Sequence, residues 1–296
     1  MIIVEIGRGL GNSLYVYAAG KALAKHYNTE LKLDTSYLKS WPKFEKFGGE
    51  WEPELKRLNI TSKEASNKEI RKFVLKTGFR PFDKIIKKYK LFERNVYRFG
   101  TFDAIENFWK LPDNIYLWGY FGDEKFFRGI KEEIKKEFTL KEEEKAKINP
   151  LLKKISKENS VSIHVRRGDL LTLNMLVLDV DYYKKAVEMI KKKIKNPIFY
   201  VFSDDIKWCK ENFKNFGKNF IFIEGNKGWE DFELMRVCKH NVLANSALSW
   251  WAGYLNPNKK KIVICPSPFT HFVDSSKKNP DTTLREWKKI DVLKKY

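Results

Sequence analysis

The residues best suited to chemistry are Arg166-Arg167-Gly168-Asp169, which directly follow a short apolar segment at residues 161–165. An arginine guanidinium carries a planar fork of donors that binds phosphate oxygens in bidentate fashion. Because side chains alternate along a strand, His164 and Arg166 fall on one face and Arg166 lies at the carboxyl end. The segment therefore predicts a phosphate site; the alternative is a structural motif in which Arg167 and Asp169 form a local salt bridge.

Two further groups of polar residues follow predicted strands. After Phe202-Ser203, one of Asp204 and Asp205 is expected to cap a helix beginning at Ile206. The other is expected to be free to accept hydrogen bonds from a base or a ribose.

The second group is Asn245, Ser246 and Ser249, which lie where a short strand runs into a helix. Unpaired backbone N–H groups and the helix dipole make such a helix start an anion site. The alternative is that Asn245 and Ser246 only cap the helix, and the following Trp250-Trp251 pair is expected to be core.

A glycine-rich loop follows the first predicted strand, and it begins the G-x-G pattern of dinucleotide-binding folds with Gly7 and Gly9. Asp34 ends the next strand, where a ribose-binding acid would lie. The third glycine is missing, because position 12 is Asn and Gly11 falls one place early. The loop therefore predicts close approach of the backbone to a ligand, with Asn12 offering an amide, rather than a nicotinamide cofactor.

Asp179-Val180-Asp181 matches the D-x-D pattern with which some sugar transferases hold a divalent metal ion. Here it precedes a predicted helix that begins at Tyr182, so Asp181 is interpreted as an N-cap. Hard cations also require more oxygen ligands than this segment offers. The sequence therefore predicts a site without metal.

The elements that must position these residues form two groups. A strand, the glycine loop, a helix and a second strand open the chain, and residues 41–112 show no clear pattern. Beyond a charged helical segment at residues 141–157, five strands alternate with helices, which predicts a parallel, doubly wound α/β sheet. The strands are expected at residues 161–165, 198–202, 220–223, 242–244 and 262–265. These features predict two domains, residues 1–150 and 151–296.

Composition bounds the class of protein. The 296 residues are 43% hydrophobic and 32% charged, which is ordinary for a globular protein. No run approaches the roughly 20 apolar residues of a membrane helix, and the N-terminus reads as a strand rather than a signal peptide. Three scattered cysteines predict neither disulfides nor zinc, and favour a reducing cytosol.

The net charge of +20 has two interpretations. One is a lysine-rich solvated surface, and the other is attraction to phosphates or to an anionic membrane surface. Nucleic acid is not expected as a partner, because the sequence has no zinc-finger spacing, RNP-like segment or arginine-rich arm. The predicted location is the cytoplasm, either free or peripheral to the inner face of the membrane.

Several motifs together resemble those of a known family. Gly9-Leu10-Gly11-Asn12, the 164–169 segment, the 202–205 segment and the 239–251 segment occur in the order found in inverting α-1,2-fucosyltransferases of glycosyltransferase family 11. The resemblance implies a GT-B fold, with two facing Rossmann-like domains that contain parallel sheets. It also implies an N-terminal acceptor-side domain and a C-terminal domain that holds the donor, GDP-fucose.

The implied reaction moves L-fucose from GDP-fucose to the 2-hydroxyl of a galactose-containing glycan, with inversion and without a metal or other cofactor. Arg166 and Asp169 are the predicted catalytic residues. Asp169 either orients Arg166, which we favour, or accepts the acceptor proton. The predicted donor-binding residues are Gly11, Asn12, His164, Arg166, Asp204, Asp205, Asp231, Asn245, Ser246 and Ser249.

Two other functions stay open at the level of sequence. One is transfer of another GDP- or UDP-linked sugar on the same scaffold, and the other is a basic, non-catalytic module that binds glycans or nucleic acid. The family resemblance is weak across residues 41–112, where aromatic residues are frequent. For acceptor recognition we expect most of these aromatic residues to be core and at least one to line the cleft between the domains. This set is Trp41, Phe44, Phe47, Trp51, Phe99, Phe102, Phe108 and Trp109.

Overall fold

The computed structural model describes residues 1–7, 9–39, 54–75, 82, 85, 93–99, 105–173, 175–269 and 282–292, and within these the side chains of all but residues 37, 39 and 99. The chain divides into two compact units, unit 1 (Met1–Thr139) and unit 2 (Leu140–Tyr296). The sequence predicted the boundary after residue 150, whereas the division between the two units lies earlier, after Thr139. Residue 150 is a proline inside a continuous helix, Glu142–Lys157. Burial of Ile148, Leu152 and Ile155 offsets the hydrogen bond that the proline removes.

Within its described residues, unit 1 contains a five-stranded parallel sheet in the order β3-β2-β1-β5-β4. Its strands are β1 (Ile2–Glu5), β2 (Leu31–Asp34), β3 (Lys63–Glu64), β4 (Val96–Phe99) and β5 (Ile115–Gly119). Its helices are α1 (Leu10–His26), α2 (Ser36–Lys39), α3 (Asn67–Ile70), α4 (Ile105–Phe108) and α5 (Lys131–Glu137). The opening strand–loop–helix–strand prediction is confirmed by β1, α1 and β2.

Helix α1 packs closely on the sheet of unit 1. A Cβ at Gly20 would lie 2.4 Å from a side-chain carbon of Val4 and 2.9 Å from one of Leu31. Only glycine therefore allows the helix to approach β1 and β2 at this distance. The close packing fixes the start of α1 relative to the carboxyl end of β1.

Within the described part of unit 2, six parallel strands form a sheet in the order β11-β10-β9-β6-β7-β8. The strands are β6 (Ser160–Val165), β7 (Ile198–Ser203), β8 (Phe220–Phe222), β9 (His240–Val242), β10 (Val263–Ser267) and β11 (Lys288–Asp291). The helices are α6 (Glu142–Lys157), α7 (Gly168–Thr172), α8 (Val180–Lys191), α9 (Ile206–Asn212), α10 (Gly228–Val237) and α11 (Ala247–Leu255). The predicted parallel α/β sheet is confirmed, and β11 is an additional strand that its mostly charged sequence did not reveal.

The core of unit 2 lies on both faces of the central strands. Every residue of β6 is buried, and Val161, Ile163 and Val165 pack in one cluster with Tyr183 of α8 and other apolar side chains. Trp250 and Trp251 are fully buried, as the sequence predicted, with their ring centroids 5.1 Å apart. A central strand covered on both faces leaves its carboxyl end as the place where polar side chains can emerge.

Candidate active site

The predicted site lies at the point where the strand order of unit 2 reverses. The chain runs outward from β6 through β7 to β8 and then returns to β9 on the other side of β6. In open parallel sheets this switch point, at the carboxyl ends of the strands, is where ligands bind. The loops after β6, β7 and β9 carry the three polar groups that the sequence singled out.

Arg166 leaves the carboxyl end of β6 and is held by Asp169 in the first turn of α7. Its Nε and Nη2 donate to the two carboxylate oxygens of Asp169 at 2.8 and 2.7 Å. Asp204 adds a third contact, 3.2 Å from Nε. Burial disfavours the charge on Arg166, but these carboxylates outweigh that effect and raise its pKa. The guanidinium is therefore fixed on one edge, although 38% of the side chain is exposed.

Arg167 has different partners from those that the local salt-bridge alternative predicted. Its Nε donates to Asp205 at 3.1 Å, and its Cζ lies 4.1 Å from the ring centroid of Trp208, within cation–π range. The predicted pairing of Arg167 with Asp169 is therefore wrong, because Asp169 already binds Arg166. Trp208 was not among the predicted site residues, and no local pattern indicates it, because its contact with Arg167 joins the ends of two neighbouring strands.

Asp204 and Asp205 have different partners in the structure, and only one of the two tasks predicted for them is found. Asp205 caps α9 by accepting from the backbone N–H of Trp208 at 3.2 Å, which confirms that one of the pair is a cap. The expectation that the other is free is wrong. The carboxylate of Asp204 accepts from the backbone N–H groups of Arg167 and Gly168, at 2.9 and 3.1 Å.

Gly168 allows this contact. A Cβ at residue 168 would lie 3.1 Å from Oδ2 of Asp204, tighter than ordinary van der Waals contact. The end of β7 therefore holds the backbone of the loop that presents Arg166.

His164 is buried near the end of β6, two residues before Arg166. Burial, and secondarily the charge of Arg166, lowers its pKa from 6.5 to about 3. The imidazole is therefore neutral at physiological pH and can offer a hydrogen bond but no positive charge. Among the described residues its buried Nδ1 has no hydrogen-bond partner.

The third polar group surrounds the start of α11. Ser246 is the residue before the helix, and its side chain makes no capping hydrogen bond. Asn245 is buried and donates from Nδ2 to the carbonyl of Leu176 at 2.8 Å. The hydroxyl of Ser249 is also buried and donates to the carbonyl oxygens of Ala244 and Ser246. The side chains of Asn245 and Ser249 thus support the loop. Ser246 stands at the N-cap position of α11, as the alternative predicted, but Asn245 does not cap the helix and bonds to Leu176 instead.

The remaining predicted donor residues lie elsewhere. Asp231 is in the first turn of α10 and accepts from Nδ2 of Asn226 at 3.0 Å. Gly11 and Asn12 are in unit 1, in the first turn of α1, where Asn12 is exposed. Direct contacts thus join Arg166, Asp169 and Asp204 in one cluster. Contact of any of the predicted residues with a donor stays a prediction.

The D-x-D segment has a structural task. Asp179, not Asp181 as predicted, caps α8 by accepting from the backbone N–H of Tyr182 at 2.9 Å. The helix begins at Val180, two residues earlier than the sequence indicated, which places Asp181 inside its first turn. No group of three or more His, Cys, Asp or Glu side chains suited to a metal ion occurs in the portion of the chain that the structure describes.

The predicted acceptor-side aromatic residues are only partly described. Trp41, Phe44, Phe47, Trp51, Phe102 and the side chain of Phe99 lie outside the described residues. Phe108 is buried, as expected for most of the set, and packs against Phe121 and Phe126. Trp109 is half-buried and contacts the rings of His26 and Phe108.

None of the helices in the described ranges is long and apolar enough to cross a membrane.

Known proteins are similar to this chain in sequence or in fold. The chain is 29% identical to an α-1,2-colitosyltransferase of Escherichia coli, over 98% of this chain and 99% of that protein. It is 32% identical to galactoside α-(1,2)-fucosyltransferase 1 of Rattus norvegicus over 44% of this chain and 39% of that protein. The crystal structure of the fucosyltransferase NodZ from Bradyrhizobium aligns with a TM-score of 0.52 and 13% identity, covering 84% of this chain and 91% of that one.

The comparisons bear on the fold and on the family. Similarity to NodZ supports the predicted α/β, GT-B-like fold class, which the parallel sheets of both units match. The family model described as glycosyl transferase family 11 matches residues 56–291, which include β6, β7, β9 and the polar loops that follow them. The resemblance inferred from the motifs is thus confirmed, and the chain is a glycosyltransferase that belongs to glycosyl transferase family 11.

Proposed function

We propose that this enzyme moves L-fucose from GDP-fucose to the 2-hydroxyl of a galactoside, with inversion and without a metal ion. The observation that carries the proposal is the orientation of Arg166. Asp169 binds the edge of the guanidinium that carries Nε and Nη2. Both N–H groups of Nη1 and the second N–H group of Nη2 therefore point away from Asp169. Those groups suit the oxygens of a diphosphate at the switch point.

The chemistry follows from where charge develops. As the bond from the sugar to GDP breaks, the β-phosphate gains negative charge and the sugar gains oxocarbenium character, as in glycoside hydrolysis. Arg166 and the backbone N–H groups at the start of α11 stabilise that charge, in the role that a metal ion has in other transferases. Asp169 orients Arg166 through two hydrogen bonds, which supports an orienting role over that of a general base.

Unit 2 is proposed to hold the donor and unit 1 to serve the acceptor. The donor contacts are assigned to Arg166 and to the other predicted donor residues. His164 would contribute a hydrogen bond from a neutral imidazole, since its pKa is lowered to about 3. The remaining residues of the set are Gly11, Asn12, Asp204, Asp205, Asp231, Asn245, Ser246 and Ser249.

The acceptor is proposed to be a galactose-containing glycan, which the name of the rat relative supports. Trp109 is the described candidate for packing against the C–H face of a sugar ring, because it is half-buried rather than core. Replacing Trp109 by Ala is expected to raise the KM of the acceptor and to leave the KM of the donor nearly unchanged. If both constants moved together, acceptor recognition would have to be assigned to other residues.

A second donor is favoured by one comparison. The Escherichia coli relative, which aligns over nearly the whole chain, is named for transfer of a colitosyl group. Colitose is L-fucose without its 3-hydroxyl, so one hydrogen-bonding group distinguishes the two donors. A site built to bind that hydroxyl rejects an analogue that lacks it by orders of magnitude. Rates with GDP-fucose and GDP-colitose at equal concentration therefore separate the two candidates.

Location at the inner face of the membrane is part of the proposal. The net charge of +20 and the exposed side chains of Leu171 and Leu173 support contact with an anionic lipid surface. Cosedimentation with anionic vesicles, but not with neutral ones, is the expected result at physiological salt. Recovery in neither pellet would contradict membrane contact, and equal recovery in both would contradict a role for the charge of the lipids.

The decisive experiment for the function has two stages. Thermal unfolding with GDP, UDP and no ligand is expected to show stabilisation by GDP, because a ligand of the native state raises Tm by mass action. Transfer from GDP-fucose to lactose is then followed, and the linkage and anomeric configuration of the product are determined by NMR. Stabilisation by UDP alone, or the absence of any transfer from GDP-linked sugars, would contradict the proposal.

A further inference from the structure

Two consecutive arginines leave β6 into different surroundings. The side chain of Arg166 is 38% exposed, whereas that of Arg167 is 15% exposed. The Arg167 guanidinium lies over the ring of Trp208 at 4.1 Å and donates from Nε to Asp205. One face and one edge of this guanidinium are therefore occupied by the protein itself.

Both partners of Arg167 are fixed at the start of α9. One oxygen of Asp205 accepts from the backbone N–H of Trp208, and the other accepts from Arg167. The backbone N–H of Asp205 donates to the hydroxyl of Ser203 at 2.9 Å. The ring of Trp208 also packs edge-on against Phe213, which is buried in the core of unit 2. The position of Arg167 is thus tied to β7, α9 and the core.

The backbone of the loop is tied to the same strand end. Asp204 accepts from the N–H groups of Arg167 and Gly168, the two residues that follow Arg166. Arg166 therefore lies between β6 on one side and a segment anchored by side chain and backbone on the other. Motion of Arg167 would be transmitted directly to the peptide that sets the direction of Arg166.

We propose that Arg167, Trp208 and Asp205 form a positioning assembly that holds the 166–168 loop, so that the guanidinium of Arg166 meets the donor diphosphate already oriented. The inference rests on the proposed function. It adds Arg167 and Trp208 as residues that act through Arg166 without touching the donor, and it gives Asp205 this role in place of the direct donor contact proposed above, because both of its oxygens bind the protein. Preorganised charge needs no reorganisation when the leaving group develops its own charge, so a loosened loop weakens binding and slows turnover together.

The test measures the affinity for GDP alone by titration calorimetry, with Trp208→Leu and Trp208→Phe made in the wild-type and R166K backgrounds. In the wild-type background, W208L is expected to weaken GDP binding about tenfold and W208F less than about threefold, since phenylalanine keeps a π face. In the R166K background, W208L is expected to change affinity less than about twofold, because residues that act through one another are not additive.

The double-mutant comparison separates positioning from other roles. A tenfold loss in both backgrounds would mean that Trp208 or Arg167 touches GDP itself, and an unchanged affinity would mean that the pair only stabilises the fold. Either result overturns the proposal. Trp118→Leu is the matched control, because Arg98 lies 5.9 Å from the Trp118 ring in unit 1, and it should leave GDP affinity unchanged.

A second variant tests the same proposal in case W208L does not fold. Asp205→Asn keeps a side chain that caps helices but removes the charge opposite Arg167. We expect about a threefold loss of GDP affinity in the wild-type background and almost none in the R166K background. Equal losses in both backgrounds would overturn the proposal. Absence of GDP binding by the unaltered enzyme would instead contradict the proposed function.

Discussion

The carboxyl ends of the two sheets present opposite chemistry on the same architecture. In unit 1, Glu5 ends β1 and Asp34 ends β2, and both accept from the hydroxyl of Tyr116, at 3.0 and 2.6 Å. All three side chains are buried. In unit 2, the corresponding edge carries Arg166 and Arg167, each paired with a carboxylate and partly open to solvent.

The difference shows how one fold can serve two purposes. A parallel sheet offers a polar edge in either case, but the side chains at the strand ends decide which ligand that edge can attract. Buried carboxylates repel a diphosphate, and the hydrogen bonds that Glu5 and Asp34 share from Tyr116 indicate a structural role for these three side chains. Burial and the two neighbouring carboxylates raise the pKa of Tyr116, so its hydroxyl stays protonated as a donor.

The largest expected effect comes from the arginine edge. Arg166→Lys should keep the fold and lower turnover about a hundredfold or more, since a point charge cannot replace a planar fork at the transition state. Initial rates with saturating donor measure the effect. Arg236→Lys is the matched control, because Arg236 makes a similar two-bond pair with Glu233 at 2.8 and 2.6 Å on α10. Turnover of R166K within about threefold of wild type would remove Arg166 from the mechanism.

The next effect concerns pH and the neutral imidazole at the same edge. His164 has a pKa lowered to about 3, so the unfolded chain binds a proton that the folded chain excludes. Stability is therefore complete above pH 6.5 and is lost as pH falls toward 3. Between pH 6.5 and 5 the loss should be about 2 kcal/mol, from 1.4 kcal/mol per unit.

The free energy of unfolding in urea at pH 7 and pH 5 measures this loss. The variant His164→Gln should show a smaller difference between the two pH values, by about the same 2 kcal/mol. His240, whose pKa is also lowered, chiefly by burial, is present in both proteins and cancels from the comparison. Identical pH dependence in the two proteins would assign the acid loss to other groups.

The acidic edge of unit 1 should respond in stability and not in donor binding. Tyr116→Phe removes the hydroxyl shared by Glu5 and Asp34 and should cost about 1.5 kcal/mol of unfolding free energy. Urea unfolding and GDP titration are measured on the same variant, with Tyr27→Phe as a control at the exposed end of α1. A loss of GDP affinity in Y116F without a loss of stability would mean that the two edges are not divided as proposed.

The smallest expected effect is that of chelation. Because Arg166 and the start of α11 are proposed to neutralise the diphosphate, EDTA should change the transfer rate less than about twofold. Rates are compared after dialysis against EDTA and after addition of Mg²⁺ or Mn²⁺. Complete loss of activity that either ion restores would make Asp179 and Asp181 metal ligands after all.

Much of unit 2 could be predicted because the sequence patterns that specify its strands and helices are local. Apolar runs at residues 161–165 and 198–202 alternate with amphipathic helices, and that order alone specifies a parallel sheet with loops at its carboxyl edge. Arg166 and Asp169 are three residues apart at the end of a strand, so their proximity also follows from the sequence. The weak strands β3 and β11 were missed, because Lys63-Glu64 and the charged residues of β11 carry no apolar pattern.

Tertiary structure alone decided which partners the polar side chains of the site take. Arg167 pairs with Asp205 and Trp208, and Asp204 binds the backbone after Arg166, because β6 and β7 are neighbours in the sheet. A sequence reports spacing along the chain, whereas these contacts join residues brought together by strand pairing. The sequence therefore determined which residue types stand at the edge of the sheet. The register of β6 against β7 determined which arginine is held by Asp205 and Trp208 and which is left to meet the proposed ligand.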